Sequence, residues 1–276
     1  VIGLIAGGGA FPALVVRAAR RLGHPLAVAA IEGEASPALE SVVRDAGAAP
    51  VTWLRLGQLG TLLTVFRDAG VTVAVMAGRV QHARIFRDLN PDATLAPVLA
   101  RLTARNAEAL IAAVAGVLGA HGITVMDSTA LLPDLVARAG VLSARPPSDE
   151  MTGDFAFAYP VADALAGLDV GQTVVVKDRA VVAVEAMEGT DATIARAGAL
   201  AGRLTRIVKV ARPRQDMRFD APVVGLSTLE AMTAAGADAL SIDAGRTLVL
   251  DGPDFFRAAD ARGIVVVGRA QGAGAA

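Results

Sequence analysis

The sequence predicts an α/β protein in two parts, a parallel sheet with helices on both faces followed by a mixed α/β second half. Short apolar runs alternate with helical patterns from Val1 to about Asp127, which is how βα units read. Two valine-rich runs around a polar turn follow Thr173, which reads as a hairpin. The chain is 54% hydrophobic but only 4% aromatic, so alanine and valine build its strands and helices. At 276 residues it is long for a single core, which favours two domains.

Val1 to Ala6 reads as a strand ending in Gly7-Gly8-Gly9, and a helical pattern runs past Pro12 to Leu22. Strand, glycine turn and helix together let backbone amides and a helix N-terminus hold phosphate. Against GxGxxG the match is partial: Gly7 and Gly9 fit, but Pro12 stands at the third glycine. Glu32 follows the apolar run Leu26 to Ile31 and is a candidate ribose ligand. A helix is expected near Leu56 to Asp68, then a strand Val71 to Met76 running into Gly78-Arg79. That placement makes Arg79, Gln81, His82 and Arg84 candidate phosphate or uridine contacts. Thr103 to Gly119 reads as an alanine-rich helix with Asn106 and Glu108 near its start. Ile123 to Asp127 reads as the next strand, with Ser128 and Thr129 just after it.

The pattern changes after Leu131, which divides the chain into residues 1–131 and 132–276. Ser143 to Asp149, with Pro146-Pro147, reads as connecting chain. Phe155 to Leu168 reads as a helix that Pro160 must kink or shorten. Thr173 to Val176 and Ala180 to Met187 form the hairpin. Glu188-Gly189-Thr190-Asp191 then opens a helix to about Leu204, with Thr190 or Asp191 as its cap. An acid beside a helix N-terminus suits a metal-phosphate site. Ile207 to Val210, Ala239 to Ala244, Thr247 to Leu250 and Ile264 to Val267 are further strands. Ser227 to Glu230 reads as a capping box for a helix to Ala235, and Pro253 to Ala261 as a last helix.

Charge and composition exclude several classes. A net charge of -1 argues against a nucleic-acid surface. With no cysteine and only His24, His82 and His121, well separated, thiolate zinc sites and a cysteine nucleophile are out, and a hard cation on carboxylates is the expected metal. No charge-free apolar run reaches the roughly 18 residues that span a bilayer, and no signal peptide is visible. These point to a soluble protein of the cytoplasm. Val1 opens directly into a strand without an initiator methionine, which suggests that a few residues are missing.

The chemistry is expected in Lys209 to Gly225, KVARPRQDMRFDAPVVG. If extended from Gln215 to Ala221, this stretch places Asp216, Arg218 and Asp220 on one side. If helical, it pairs Asp216 with Asp220 at i, i+4. Either way, two carboxylates meet a guanidinium, preceded by Lys209, Arg212 and Arg214. Carboxylates that hold Mg2+ or steer a water, beside cations that take up developing charge, suit chemistry on a phosphate. An edge strand with a self-neutralising charge ladder would show the same pattern.

GLIAGGGAFP at the start, DVGQTVVV at Asp169, VEAMEGTDATIARA at Val184, the Lys209 motif and DAGRTLVLD at Asp243 follow one another in order. In this the chain resembles the LpxI-type UDP-2,3-diacylglucosamine pyrophosphatases of lipid A biosynthesis, over nearly its whole length. Arg212, where a lysine is often seen, and Ala221-Pro222-Val223-Val224 are modest departures. The resemblance implies a Rossmann-like nucleotide-binding N-terminal domain and a C-terminal catalytic, lipid-binding domain. It implies Mg2+-dependent hydrolysis of UDP-2,3-diacylglucosamine to UMP and 2,3-diacylglucosamine 1-phosphate (lipid X). Peripheral contact with the cytoplasmic face of the inner membrane and a homodimer are compatible with it.

On this reading one of Asp216 and Asp220 ligates Mg2+ and the other orients or deprotonates the attacking water, with Asp220 the less dispensable. Glu188 and Asp191 are further candidates for ligand or base. Lys209 and Arg218 neutralise charge on the diphosphate, and Gln215 positions an oxygen. Gly7, Gly8, Gly9, Arg79, Gly189 and Thr190 are candidate substrate-binding residues. Two alternatives are a nicotinamide-dependent oxidoreductase resting on Gly7, Gly9 and Glu32, and a non-catalytic nucleotide- or lipid-binding regulator.

Overall fold

The computed structural model describes residues 1–81, 84, 87–102, 107–213, 215–218 and 221–270. The chain divides into two compact units, Val1–Leu132 with Met217–Asp220, and Pro133–Asp216 with Ala221–Ala276. The first unit is a Rossmann-like layer structure. In order it contains β1 (Ile2–Ala6), α1 (Phe11–Arg21), β2 (Leu26–Ile31), α2 (Leu39–Asp45), β3 (Thr52–Leu54), α3 (Leu59–Asp68), β4 (Val73–Ala77), α4 (Ala96–Leu99), α5 (Ala107–Ala120) and β5 (Thr124–Val125). Its five strands lie in the order β3-β2-β1-β4-β5, and every pairing is parallel.

Strand β1 is flanked by β2 on one side and β4 on the other, so the direction of strand addition reverses there. Such a reversal opens a crevice at the carboxyl ends of the strands. Phe66 of α3 is fully buried, and Gly3 of β1 makes room for it, since a Cβ there would stand 2.7 Å from the ring. α2 and β3 were not expected from sequence. Both are short, and the Ala/Pro-rich chain around them carries little periodicity.

The second unit contains β6 (Gly140–Val141), α6 (Asp149–Gly167), β7 (Thr173–Lys177), β8 (Ala180–Val184), α7 (Thr190–Ala201), β9 (Arg206–Lys209), β10 (Val223–Val224), α8 (Leu226–Ala235), β11 (Ala239–Asp243), β12 (Leu248–Val249), α9 (Pro253–Ala261) and β13 (Val265–Arg269). Six strands form a mixed sheet in the order β6-β13-β11-β9-β7-β8. Strands β9, β11 and β13 are parallel, while β6, β7 and β8 run antiparallel to their neighbours. β10 and β12 pair separately.

Side-chain alternation fills both faces. Val174, Val176 and Val208 pack with Phe155, Ala158, Ala162 and Ala166 of α6. Val175, Ile207, Leu240 and Ile242 pack with α7, α8 and α9 through Ile194, Leu229, Met232 and Phe255. Gly198 lets α7 and α8 touch, because a Cβ there would fall 2.7 Å from the Ala235 Cβ and 2.8 Å from its backbone. Gly198→Ala is therefore expected to destabilise the unit by about 1–3 kcal/mol, outweighing alanine's better helix propensity. A urea midpoint equal to the parent's would contradict this packing.

Three local expectations are corrected, and of the two effects expected of Pro160 the shortening is absent. Helix α6 starts at Asp149, not Phe155, because Ser148 caps it by accepting from the Met151 N–H. Pro160 does not shorten it, and both Pro160 and Ala156 are exposed. The carbonyl that loses its helical partner thus lies where water can serve it. Neither Thr190 nor Asp191 caps α7, whose N-cap is Gly189. The Ser227 capping box fails likewise: α8 starts from Gly225, and Asp251 accepts from the Leu226 N–H at 2.7 Å.

Candidate active site

In the second unit the carboxyl ends of β9, β11 and β13 carry Lys209, Asp243 and Arg269. The carboxyl end of parallel strands is where α/β folds place ligands. Lys209 lies opposite Thr173, the first residue of β7. β8 ends beside that residue, and the Glu185 N–H donates to the Thr173 carbonyl at 2.8 Å. The loop after β8 then enters α7 through Gly189, whose φ of 87° lies in the left-handed region that a side chain disfavours. Four side chains from separate elements are brought together in this way.

The Lys209 Nζ donates to Thr190 Oγ1 at 2.6 Å, and Thr190 Oγ1 donates to Glu185 Oε1 at 3.0 Å. The other Glu185 oxygen accepts from the Gln172 N–H at 3.3 Å. With its proton committed to Glu185, Thr190 is left as acceptor from Thr173 Oγ1, 3.3 Å away. Two predicted site residues, Lys209 and Thr190, thus meet. Glu185, which the sequence reading did not single out, completes the set. Lys209 is buried and makes no ion pair among the described residues. Because α7 starts without a side-chain cap, the positive end of its dipole adjoins this ammonium.

The loop after β9 carries Gln215 and Asp216. Asp243 anchors its start by accepting from the Ala211 N–H at 2.8 Å. Asp243 is itself held by Arg269, at 2.6 Å from Nε. Arg269 also makes a two-pronged contact with Asp163 at 2.8 Å and stacks over the Tyr159 ring. The paired carboxylates hold the Arg269 guanidinium above its usual pKa despite the opposing effect of burial. Gln215 is buried. Its Oε1 accepts from the Arg212 N–H at 2.7 Å, and its own N–H donates back to the Arg212 carbonyl at 3.0 Å. Arg212 in turn pairs with Asp169 at 3.0 Å.

The described residues that follow, Asp216 to Arg218, are in neither a strand nor a helix. Met217 and Arg218 lie in a turn, and the Met217 carbonyl accepts from both the N–H and the hydroxyl of Ser128 in the first unit's own contacts, at 2.9 and 2.8 Å. Asp216 is partly buried and Arg218 exposed. Asp220, Arg214, His82 and Asn106 lie outside the described residues, as does the side chain of Glu108.

Glu188 is engaged locally. It accepts from Ala186 N–H at 3.0 Å and pairs with Arg196 at 2.5 Å. A hydrogen bond from its own backbone and then the one from Arg196 hold its carboxyl below the usual range. Asp191 is exposed in the first turn of α7. Among the described residues no three His, Cys, Asp or Glu side chains are grouped to hold a metal. Mg2+, however, commonly binds through one or two carboxylates plus substrate phosphates and water, so an acid pair suits it chemically.

In the first unit, the glycine turn is stitched to the loop after β4. Gly8 and Arg79 exchange backbone hydrogen bonds at 2.8 and 3.1 Å, and Gly7 N–H donates to Ala77 at 2.8 Å. A Cβ on Gly7 would stand 2.6 Å from the Arg79 carbonyl, and one on Gly78 2.6 Å from the Gly8 carbonyl. The glycines there permit close backbone approach at the strand reversal. Gly9 faces open space, and α1 begins without a side-chain cap. The Arg79 side chain is exposed. The Glu32 carbonyl accepts from Arg84 at 3.2 Å, and Glu34 accepts from the Gln81 N–H at 3.1 Å.

No helix among the described residues is long and apolar enough to cross a membrane. The family model described as LpxI N-terminal domain matches residues 1–135, and LpxI C-terminal domain matches residues 138–267. A Caulobacter vibrioides protein named UDP-2,3-diacylglucosamine pyrophosphatase LpxI is 32% identical over 278 residues, covering 97% of this chain and 96% of that protein. Matched along both of its domains and nearly end to end, the chain belongs to the LpxI family.

Proposed function

We propose that the protein hydrolyses the diphosphate of UDP-2,3-diacylglucosamine to UMP and 2,3-diacylglucosamine 1-phosphate. The observation that carries this reading, within the LpxI family, is the buried Lys209 ammonium at the carboxyl ends of parallel strands, with no carboxylate paired to it among the described residues. Such a group has charge to offer a phosphate, and phosphoryl chemistry proceeds largely by positioning and by neutralising charge on oxygens.

Asp216 and Asp220 are the residues that would hold Mg2+, and the ion would supply Lewis-acid stabilisation of phosphate oxygens. Whichever carboxylate is less engaged with the ion orients or deprotonates the attacking water. Asp191 is a further candidate, whereas Glu188 would first have to release Arg196. Lys209 and Arg218 neutralise charge on the diphosphate, and Gln215, fixed against Arg212, stiffens the loop that presents Asp216. The turn at Gly7, Gly8 and Gly9 with Arg79 is proposed to hold the UDP portion, and Gly189 and Thr190 to adjoin the phosphates.

Leu168 and Met187, 74% and 80% exposed, stand on the loops leading into Gln172 and out of Glu185. The test is to incubate purified protein with UDP-2,3-diacylglucosamine, with Mg2+ or with EDTA, and to follow UMP and lipid X by mass. Both products are expected with Mg2+ and neither with EDTA. Absence of UMP with Mg2+ present would end the proposal, and equal release in EDTA would remove the metal from it.

A further inference from the structure

Two buried cations, Arg206 and Lys209, and the partly buried Arg269 lie in the second unit's sheet, and they are paired differently. Arg206 has Asp154 at 3.0 Å, and Arg269 has Asp243 at 2.6 Å and Asp163 at 2.8 Å. Lys209 alone of these three has a hydroxyl as its hydrogen-bond partner, with Glu185 one bond further away. Burying an ammonium is costly unless it is paired and hydrogen-bonded. A direct Glu185–Lys209 pair would have met that cost, but it would also have cancelled the charge.

We propose that Thr190 and Glu185 are positioning residues: the interposed Thr190 hydroxyl, held by Glu185, fixes the Lys209 ammonium in place while leaving its charge for an anionic phosphate. Hydrogen-bond chemistry allows one polarity only. An ammonium donates and a carboxylate accepts, so Thr190 must receive from Lys209 and give to Glu185. Thr173, donating to the same oxygen, restricts rotation of the hydroxyl. Gly171 fixes the Glu185 end, since a Cβ on it would fall 2.0 Å from the Glu185 carbonyl. The chain from Glu185 through Thr190 to Lys209 is therefore seated on backbone at one end and on β9 at the other.

This inference rests on the diphosphate-hydrolase reading, and the experiment separates the two. Thr190→Val keeps the shape of the side chain and removes the hydroxyl, whereas Thr190→Ser keeps the hydroxyl. The rate of UMP release, the melting temperature and the affinity for inorganic pyrophosphate are measured for both variants and the parent. Thr190→Val is expected to lose about ten- to a hundredfold in turnover and to bind pyrophosphate more weakly, while remaining folded at the assay temperature with a melting temperature lowered by the unsatisfied ammonium. Thr190→Ser is expected to regain most of both. Parent-like turnover and pyrophosphate binding in Thr190→Val would overturn the assignment. So would a loss that Thr190→Ser fails to restore, since that would mark a packing role. If the parent binds pyrophosphate in a Thr190-dependent way but releases no UMP, the positioning role stands and the substrate reading falls.

Discussion

Asp220→Ala is expected to cut UMP release by about a thousandfold or more, and Asp216→Ala to do the same within a factor of about ten. Both chains should fold. The chain on either side of Asp216 is pinned by Asp243 on Ala211, by Gln215 on Arg212 and by Ser128 on Met217, and none of these three anchors uses the Asp216 carboxylate. The loss should therefore appear as chemistry and leave secondary structure unchanged. Single-turnover assays with saturating substrate, alongside circular dichroism, separate the two effects. Full rates in both variants would show that the acid pair has no part in turnover.

Asp154→Ala is expected to cost the second unit about 3–5 kcal/mol, the range for breaking a buried ion pair by removing one partner. The side chains of Arg206 and Asp154 are 5% and 3% exposed. Other acids do not substitute well. Glu150 lies 3.7 Å away but is 85% exposed, and Asp178 lies 3.9 Å away and is 80% exposed. Asp238 approaches Nε at 3.3 Å without hydrogen-bonding geometry. Burial, only partly offset by Arg206, raises its pKa. Asp154 also accepts from the N–H groups of Asp178 and Arg179 at 3.2 and 2.7 Å. Those two residues hold positive φ values of 51° and 57° in the hairpin turn, a conformation that costs non-glycine residues. Urea unfolding of the second unit reads the effect, and a shift below about 1 kcal/mol would mean that water or Asp238 takes over the pairing.

Legibility followed periodicity and punctuation. The run Leu26–Ile31 and the helix Pro253–Ala261 were readable to the residue, because one is an uninterrupted apolar run and the other opens on proline at N1. The start of α6 was obscured by Pro146-Pro147, although Ser148 followed by Asp149 and Glu150 is a sound N-terminal signal. Over Gln215 to Arg218 the alternation does not mark a strand. Two-residue periodicity in charged side chains carries no burial signal, and Pro213 and Pro222 flank the stretch with residues that cannot donate to a ladder. Lys209 and Thr190 were legible as separate candidates. Their contact was not, nor was Glu185, because an acid at the end of a valine run looks like any exposed strand terminus until β9 is placed opposite β7.

The bond between Ser128 and Met217 spans 89 residues of sequence, which matters on the ribosome. At synthesis rates of about 5–20 residues per second, the nascent first unit waits roughly five to twenty seconds for the acceptor that satisfies the turn after its last strand. Until then the Ser128 N–H and hydroxyl, buried in the finished protein, have only water to bond to. The leading half of the chain can therefore collapse early but completes itself only with material from the trailing half, a reason for selection to keep the two in one polypeptide.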